Sequence, residues 1–452
     1  MRVTRRELLR GAGCFAGAVL LGESAKGAAH RRRSRKRRAV ASSRTADSGP
    51  LSGARLYEDV IAYYNLGEHR TASGNDLRTS QWLLEQLRAA GLKATFQSFS
   101  LRQFFIRQTR LAIDERTIRA FPLWFPRSTG ADPIVGTLAT SDKTDGQGSL
   151  KGRLALVRFP AAAGTAMVKG SVHSEIILAA AKAGATGVVA ITESATKEII
   201  ALNSPAGAGP WPVPVVLAGS RDEPALIGAA RSGARVSLLL DGEDDADANG
   251  KNVIARLDRG KDLIVISTPQ SGWFRCAGER GPGIALLLGL ARWASQRPSG
   301  ASFLFVSTSG HELGGVGMTA FLRDLAPPPE RVLCWIHLGA GIATYSWEEG
   351  SAGLKRLQEP DSRRFLMASR DLVPMLTTSF AGLPGLTPTV GRAVGEFEFI
   401  VNRGYRAFGV AAGHRFHHTP ADSPEMTGPE ILEPVARAFV NAIDACERNA
   451  KA

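Results

Sequence analysis

No run of about 18 consecutive apolar residues occurs in the 452-residue sequence, which excludes a multi-span helical membrane protein. Cysteine is scarce: four residues are too few for a disulfide scaffold. There is no internal repeat. An acidic disordered chain is also excluded, because 44% of the residues are apolar and 22% are charged. What is present is enough apolar sequence to bury sizeable cores in two or three domains. A soluble, multidomain globular protein is expected.

The formal net charge of +14 is concentrated at the start, where residues 1–50 hold thirteen Lys and Arg against three acidic residues. The remainder is nearly balanced, so the high charge does not point to a nucleic-acid groove in the folded part. Thr4-Arg5-Arg6-Glu7-Leu8-Leu9-Arg10 precedes a short apolar run over 11–22, with small residues at Gly27, Ala28 and Ala29. That order resembles a twin-arginine export signal, which implies a periplasmic or extracellular protein. Arg31 to Arg38 has seven basic residues in eight and reads as a solvated linker or as a binder of anionic lipid or polymer. Cys14 lies inside the apolar run. Removal of the leader leaves Cys276, Cys334 and Cys446, which allow at most one internal bridge, with Cys276–Cys334 as a candidate.

Helical spacing runs from Leu56 to Leu92 with a break at Gly67 to Gly74, and Lys93 to Leu101 alternates as a strand. Between about Pro122 and Asp244 short strands are punctuated by Gly and Pro, as at 153–159, 187–191 and 213–216, with a helix over 176–182. From Asn252 strands (263–267, 302–307, 331–338) alternate with helices (283–295, 314–325), and 430–449 reads as a closing helix. This order predicts an α/β fold with a mainly parallel sheet, helices on both faces and a smaller α/β insert. Ligands in such folds bind at the carboxyl ends of strands. Four chemistry-bearing segments fall there: 268–283, 309–314, 337–343 and 413–422.

Within them, Gly310-His311-Glu312-Leu313-Gly314 follows a strand directly. Phe416-His417-His418-Thr419-Pro420-Ala421-Asp422 is a His-rich turn before the last helix. Cys276-Ala277-Gly278-Glu279-Arg280 lies between a strand and an apolar helix. Each has a plain structural explanation when taken singly: a turn cap, a carboxylate paired with arginine, or an acidic group at a helix start. Cys276 is a possible thiol nucleophile paired with His311, or a small buried residue. Ser271 lacks a nucleophile-elbow motif, and Gly278, Gly281 and Gly283 lack the Lys-Ser or Lys-Thr of a phosphate loop. Trp273 and Phe274 are placed either at a pocket mouth or in the core.

Together, the order and context of these segments resemble the zinc aminopeptidase family, which also contains the glutaminyl cyclases. The likeness spans about Leu56 to Asn449 and includes Gly67-Glu68-His69-Arg70-Thr71-Ala72-Ser73-Gly74 and the His418-to-Asp422 ending. It also includes a segment similar to a protease-associated domain. The implied organisation is an export signal over 1–29, a basic linker over 30–50, a peptidase-like domain over 51–121 and 245–452, and the insert over 122–244. The resemblance implies a core with two zinc ions sharing one carboxylate. Carried over residue by residue, the His-x-Asp ligand motif falls on Pro269-Gln270-Ser271 and the shared aspartate on Glu279. The Glu-Glu pair falls on His311-Glu312, a further ligand aspartate on Gly339, and the last ligand histidine on His418. One metal position is therefore lost. Glu279, Glu312 and His418 can still hold one zinc, the number used by the cyclases, with His311 in the place of the general base. His311 or His337 is an alternative ligand.

Three functions follow from the resemblance. One is a one-metal hydrolase of peptide or related amide bonds. Another is an inactive relative that binds peptides or envelope material in the same cleft. The last is a one-zinc cyclase-like acyltransferase. Peptide-like molecules are the expected partners, with no nucleic acid and no membrane span. Oligomeric state is left open.

Overall fold

The computed structural model describes residues 49–449 except 141–148, 161–169, 206–208, 299 and 352. The expected export signal and nearly all of the basic linker lie outside the described residues. Two helices come first. In α1 (Gly53–Asn65) the Ser52 hydroxyl accepts from the Arg55 amide, and Ser73 caps α2 (Gly74–Ala89) through the Asp76 amide. Next come β1 (Lys93–Ile113), β2 (Ala120–Pro122), β3 (Leu138–Thr140), β4 (Leu154–Arg158), α3 (Val172–Lys182), β5 (Gly187–Thr192), β6 (Val215–Gly219) and α4 (Glu223–Ser232). β7 (Val236–Leu257) returns along β1 and leads into β8 (Asp262–Pro269), α5 (Gly281–Gln296), β9 (Ala301–Thr308), α6 (Val316–Asp324) and β10 (Val332–Leu338). The last part adds the hairpin β11 (Tyr345–Gly350) and β12 (Gly353–Pro360), then β13 (Phe365–Ala368), α7 (Val373–Ser379), β14 (Pro388–Thr389), α8 (Glu396–Asn402), β15 (Ala407–Ala411) and α9 (Pro429–Asn449).

A 10-stranded sheet carries the fold, in the order β14-β13-β15-β10-β8-β9-β7-β1 followed by the short strand Arg116–Ile118; Ile134–Gly136 also pairs with β7. Its four middle strands, β15, β10, β8 and β9, run parallel, and β13 and β7 join antiparallel on either side. This is the expected α/β architecture. Both faces of β8 are buried, as covered parallel strands require. Ile264 and Ile266 point into a core shared with α1, α5 and α9, whereas Val265 points to the opposite core with Met318, Phe321 and Trp335. Helix α5 is buried along almost its whole length because it lies between the sheet and α1. Two of its glycines make that approach possible: a Cβ at Gly281 would meet Val60 at 2.8 Å, and one at Gly289 would meet Leu56 at 2.6 Å. No helix among the described residues is long and apolar enough to cross a membrane.

The short strands between β1 and β7 form a second, five-stranded sheet in the order β2-β6-β5-β4-β3, parallel except at β2. Leu154, Ile177, Val189, Val216 and Leu226 give it a core of its own, which continues through Phe121 and Trp124 to Trp273 and Phe274. The expected boundary at 244–245 lies inside β7, which belongs to the large sheet.

Phe439 of α9 stacks on Phe408 of β15 (6.0 Å between centroids, 15°) and meets Phe380 edge-on (5.2 Å, 90°), tying the last helix to the centre of the sheet. Phe439→Ala is expected to lower the stability of the protein by about 3–5 kcal/mol. The loss is read as a lower urea midpoint at unchanged slope.

Candidate active site

The chain reverses after β8 and reaches Glu279 and Arg280 at the start of α5. Asp422 fixes that approach: its carboxylate accepts the amides of Gly278 (2.7 Å) and Glu279 (2.9 Å). After β9, Gly310 at φ 89° turns the chain so that the 3₁₀ turn His311–Leu313 stands above the sheet edge. Ser271 braces that turn, accepting the amides of Gly310 (2.9 Å) and His311 (3.3 Å) and donating its hydroxyl to Glu312 Oε2 (2.7 Å). The two carboxylates then meet one cation. Arg280 Nη2 lies 2.6 Å from Glu312 Oε1 and 3.0 Å from Glu279 Oε1, while its Nε donates to the Ser271 carbonyl at 2.8 Å. Glu279, Arg280 and Glu312 are all buried.

On the other side of Glu279 stand two imidazoles. His418, in the left-handed region at φ 58°, places Nε2 3.4 Å from Glu279 Oε1, and His417 Nδ1 is 3.9 Å from Oε2. These rings stack at 4.1 Å. His418 Nδ1 is 3.0 Å from the Ala201 carbonyl, which can only accept, so the proton of that nitrogen is donated there. In the neutral ring Nε2 then presents a lone pair toward a carboxylate oxygen. Both Glu279 oxygens and His417 Nδ1 are buried without a hydrogen-bond partner. Burial opposes the charge on Glu279, but Arg280 and the two histidines outweigh it and hold the carboxyl well below its usual range. Burial pushes His417 well below the ordinary imidazole range. A carboxylate and two imidazole nitrogens are therefore brought together.

That donor set fits a zinc ion. With bonds of about 2.0–2.1 Å, tetrahedral ligands stand about 3.3 Å apart; His418 Nε2 is 3.4 Å from Glu279 Oε1, and His417 Nδ1 is 3.9 Å from Oε2. All three ligating atoms lie within 4.8 Å of one another. The hydrogen bond from His418 Nδ1 to a carbonyl is the arrangement that orients metal-binding histidines. Two metals do not fit, because Pro269 and Gly339 offer no side-chain donor.

Of the residues singled out in sequence, Glu279 and His418 come together, whereas Glu312 is taken up by Arg280 and Ser271. The third ligand-capable atom beside them comes from His417. His311 faces away from Glu279, with Nδ1 3.6 Å from Glu396, whose oxygens accept the Thr308 hydroxyl at 3.0 and 2.8 Å. His337 is bonded through Nδ1 to Ser267. Cys276, Cys334 and Cys446 are free thiols, and burial pushes the Cys276 thiol well up, so it is neither bridged nor an activated nucleophile. Trp273 and Phe274 are core residues, with Trp273 5.2 Å from Trp124 and Phe274 5.0 Å from Phe121.

Sequence reasoning missed Arg280, His417, Ser271 and Asp422 as parts of one site. Arg280 adjoins Glu279 and His417 adjoins His418, so adjacency was the available signal. It missed the second sheet's contribution entirely. The Ala201 amide donates to the His418 carbonyl (2.9 Å), the Ser204 amide to the Glu312 carbonyl (2.8 Å), and Trp273 Nε1 to Asn203 (2.9 Å). Residues 201–204 thus form a strap across the site.

Solved structures with this fold include a zinc aminopeptidase from Bacillus subtilis. It is 18% identical, with 89% of this chain and 97% of that one covered and a TM-score of 0.70. A peptidase M28 precursor from Shewanella amazonensis matches at 17% identity over 89% and 94%, with a TM-score of 0.67. An aminopeptidase from an Aneurinibacillus species matches at 16% over 88% and 94%, with a TM-score of 0.59. The chain therefore has the zinc aminopeptidase fold. No family model matches the sequence, and no curated protein matches it.

Arg280→Met leaves two buried carboxylates without their cation and is expected to cost about 3–5 kcal/mol in urea unfolding; adding Glu279→Gln and Glu312→Gln is expected to recover most of the loss. A pH effect follows from the buried imidazoles. Burial lowers His69 to about 3 and His337 and His414 to about 4, so each stays neutral in the fold while its unfolded counterpart protonates near 6.5. The unfolded chain then binds more protons below that point. Stability is expected to fall as pH drops from about 6.5 to about 4, in thermal unfolding followed across that window.

Proposed function

We propose that this is an exported protein of the zinc peptidase fold that keeps one cation position and binds peptides or peptide-like envelope material without the two-metal hydrolysis of aminopeptidases. The observation that carries this reading is the Arg280 guanidinium held between Glu279 and Glu312. A fixed organic cation stands between the carboxylates that the resemblance assigns to a metal. Arginine cannot offer an open coordination position to water, nor can it serve as a proton acceptor. His311, the residue in the general-base position, is directed to Glu396 instead. Peptide ligands are supported by the names of the solved neighbours, two of them aminopeptidases and one a peptidase precursor. Export rests on the Arg5-Arg6 leader, and the second sheet is read as a protease-associated-type insert.

A second reading, a one-metal hydrolase of peptide or amide bonds, is favoured by Glu279, His417 and His418. A zinc held there would supply Lewis acidity. This chain's residues would fix it, and Asp422 would hold the Glu279 backbone.

The two are separated by incubating the full folded chain, supplied with one equivalent of zinc, with a defined peptide mixture. The expected result is peptides recovered uncut by mass spectrometry, with a subset co-eluting with the protein. Cleavage that a chelator stops and Glu279→Gln abolishes would overturn the non-hydrolytic reading in favour of the second.

A further inference from the structure

We infer that His417, and not Glu312, is the third protein ligand of a single zinc ion at Glu279 and His418, and that the second sheet's strap presets the site through the Ala201 carbonyl. This rests on the one-cation reading above and specifies its ligands.

The argument is one of charge and lone pairs. Glu312 has no spare capacity directed at Glu279: Oε1 is bonded to Arg280 and Oε2 to Ser271. A zinc taking Glu312 would have to break the charge-assisted bond to a fully buried guanidinium, leaving that cation short of a partner. Glu279 is different. Neither of its oxygens accepts a hydrogen bond, although the residue is fully buried. His417 Nδ1 is likewise buried and unpartnered on the Oε2 side. Buried polar atoms that make no hydrogen bond are uncommon in folded proteins, and three come together here, of which Glu279 Oε1 also faces Arg280 at 3.0 Å. A dipositive ion would engage all three at once. Glu279 and Glu312 carry two negative charges against the single positive charge of Arg280, so a net negative charge is left at the Glu279 end.

The strap determines which nitrogen of His418 is available. Its Ala201 carbonyl accepts the Nδ1 proton and its Ala201 amide holds the His418 carbonyl, so ring and backbone are both fixed by the second sheet. The tautomer leaves Nε2 free toward Glu279. His418 itself sits at φ 58°, in the left-handed region, where histidine is found more often than most non-glycine residues.

The test uses the full chain, stripped with a chelator, reloaded with zinc and desalted, with zinc per chain counted by mass spectrometry of the metal. Cobalt(II) replaces zinc in a parallel sample read by its visible absorption. Wild type and Glu312→Gln, which keeps hydrogen-bonding atoms for Ser271 and Arg280, are expected to retain about one ion per chain. His417→Asn and His418→Asn are expected to retain less than about one tenth, with cobalt bands lost. Thermal unfolding of each apo variant checks folding, and zinc is expected to raise the midpoint of wild type and Glu312→Gln only. Retention by His417→Asn with loss in Glu312→Gln overturns the ligand assignment while leaving the one-cation reading intact. No zinc on wild type overturns both.

Discussion

One buried guanidinium sets the character of this molecule. Arg280 stands between Glu279 and Glu312 with its Nε held by the Ser271 carbonyl, and all three charged groups are removed from solvent. Burying an ion costs several kcal/mol even after the protein relaxes, so such a triad persists only where each charge is met and each proton is placed. Glu312 fulfils that condition through Ser271. Glu279 does not, since its oxygens face the guanidinium and two imidazoles without accepting a hydrogen bond. The unbalanced negative charge therefore lies at a defined end of the triad, next to His417 and His418.

The surroundings of the triad come from both sheets. Asp422 pins the backbone of Gly278 and Glu279, and Ser271 pins the turn bearing Glu312. The strap at Ala201 and Ser204 bonds to the backbones of His418 and Glu312. Aromatic packing of Phe121 and Trp124 against Trp273 and Phe274 joins the smaller sheet to the rim of the larger one. The second sheet is thus part of the site's construction.

Much of the fold was legible in the sequence because its central strands are fully covered and follow a strand-helix rhythm. Ile264, Val265 and Ile266 form a continuous apolar run, and α5 is apolar all round, as buried elements must be. The remaining strands were harder to read. β13 and β15 are four and five residues long and lack alternation. The acidic stretch Asp241-Gly242-Glu243-Asp244-Asp245 carries no apolar alternation, yet it extends β7, with Arg102 meeting Asp244 and Arg107 meeting Asp241 across the pair with β1. In the site, residue types and order singled out Glu279, Glu312 and His418, but nothing in linear sequence shows that the Glu312 carboxylate meets an arginine 32 residues away. That meeting depends on where the long Arg280 side chain points. A single contact, unseen in one dimension, reassigns Glu312.

A guanidinium and a metal ion differ in what they can do between paired carboxylates. Both satisfy paired carboxylates, and Arg does so permanently, since its charge does not titrate in the accessible range and its planar donors suit carboxylate oxygens. A guanidinium holds no vacant coordination position, and its single charge is spread over three nitrogens, so it cannot bring a bound water close to neutral ionisation as zinc does. It also has no lone pair with which to take up a proton. A guanidinium between two carboxylates thus stabilises the buried group without activating a water itself. At the other end of Glu279 the surroundings differ, since His418 Nε2 stands 3.4 Å from one carboxylate oxygen and His417 Nδ1 3.9 Å from the other, and imidazole nitrogens can ligate a metal where a guanidinium cannot.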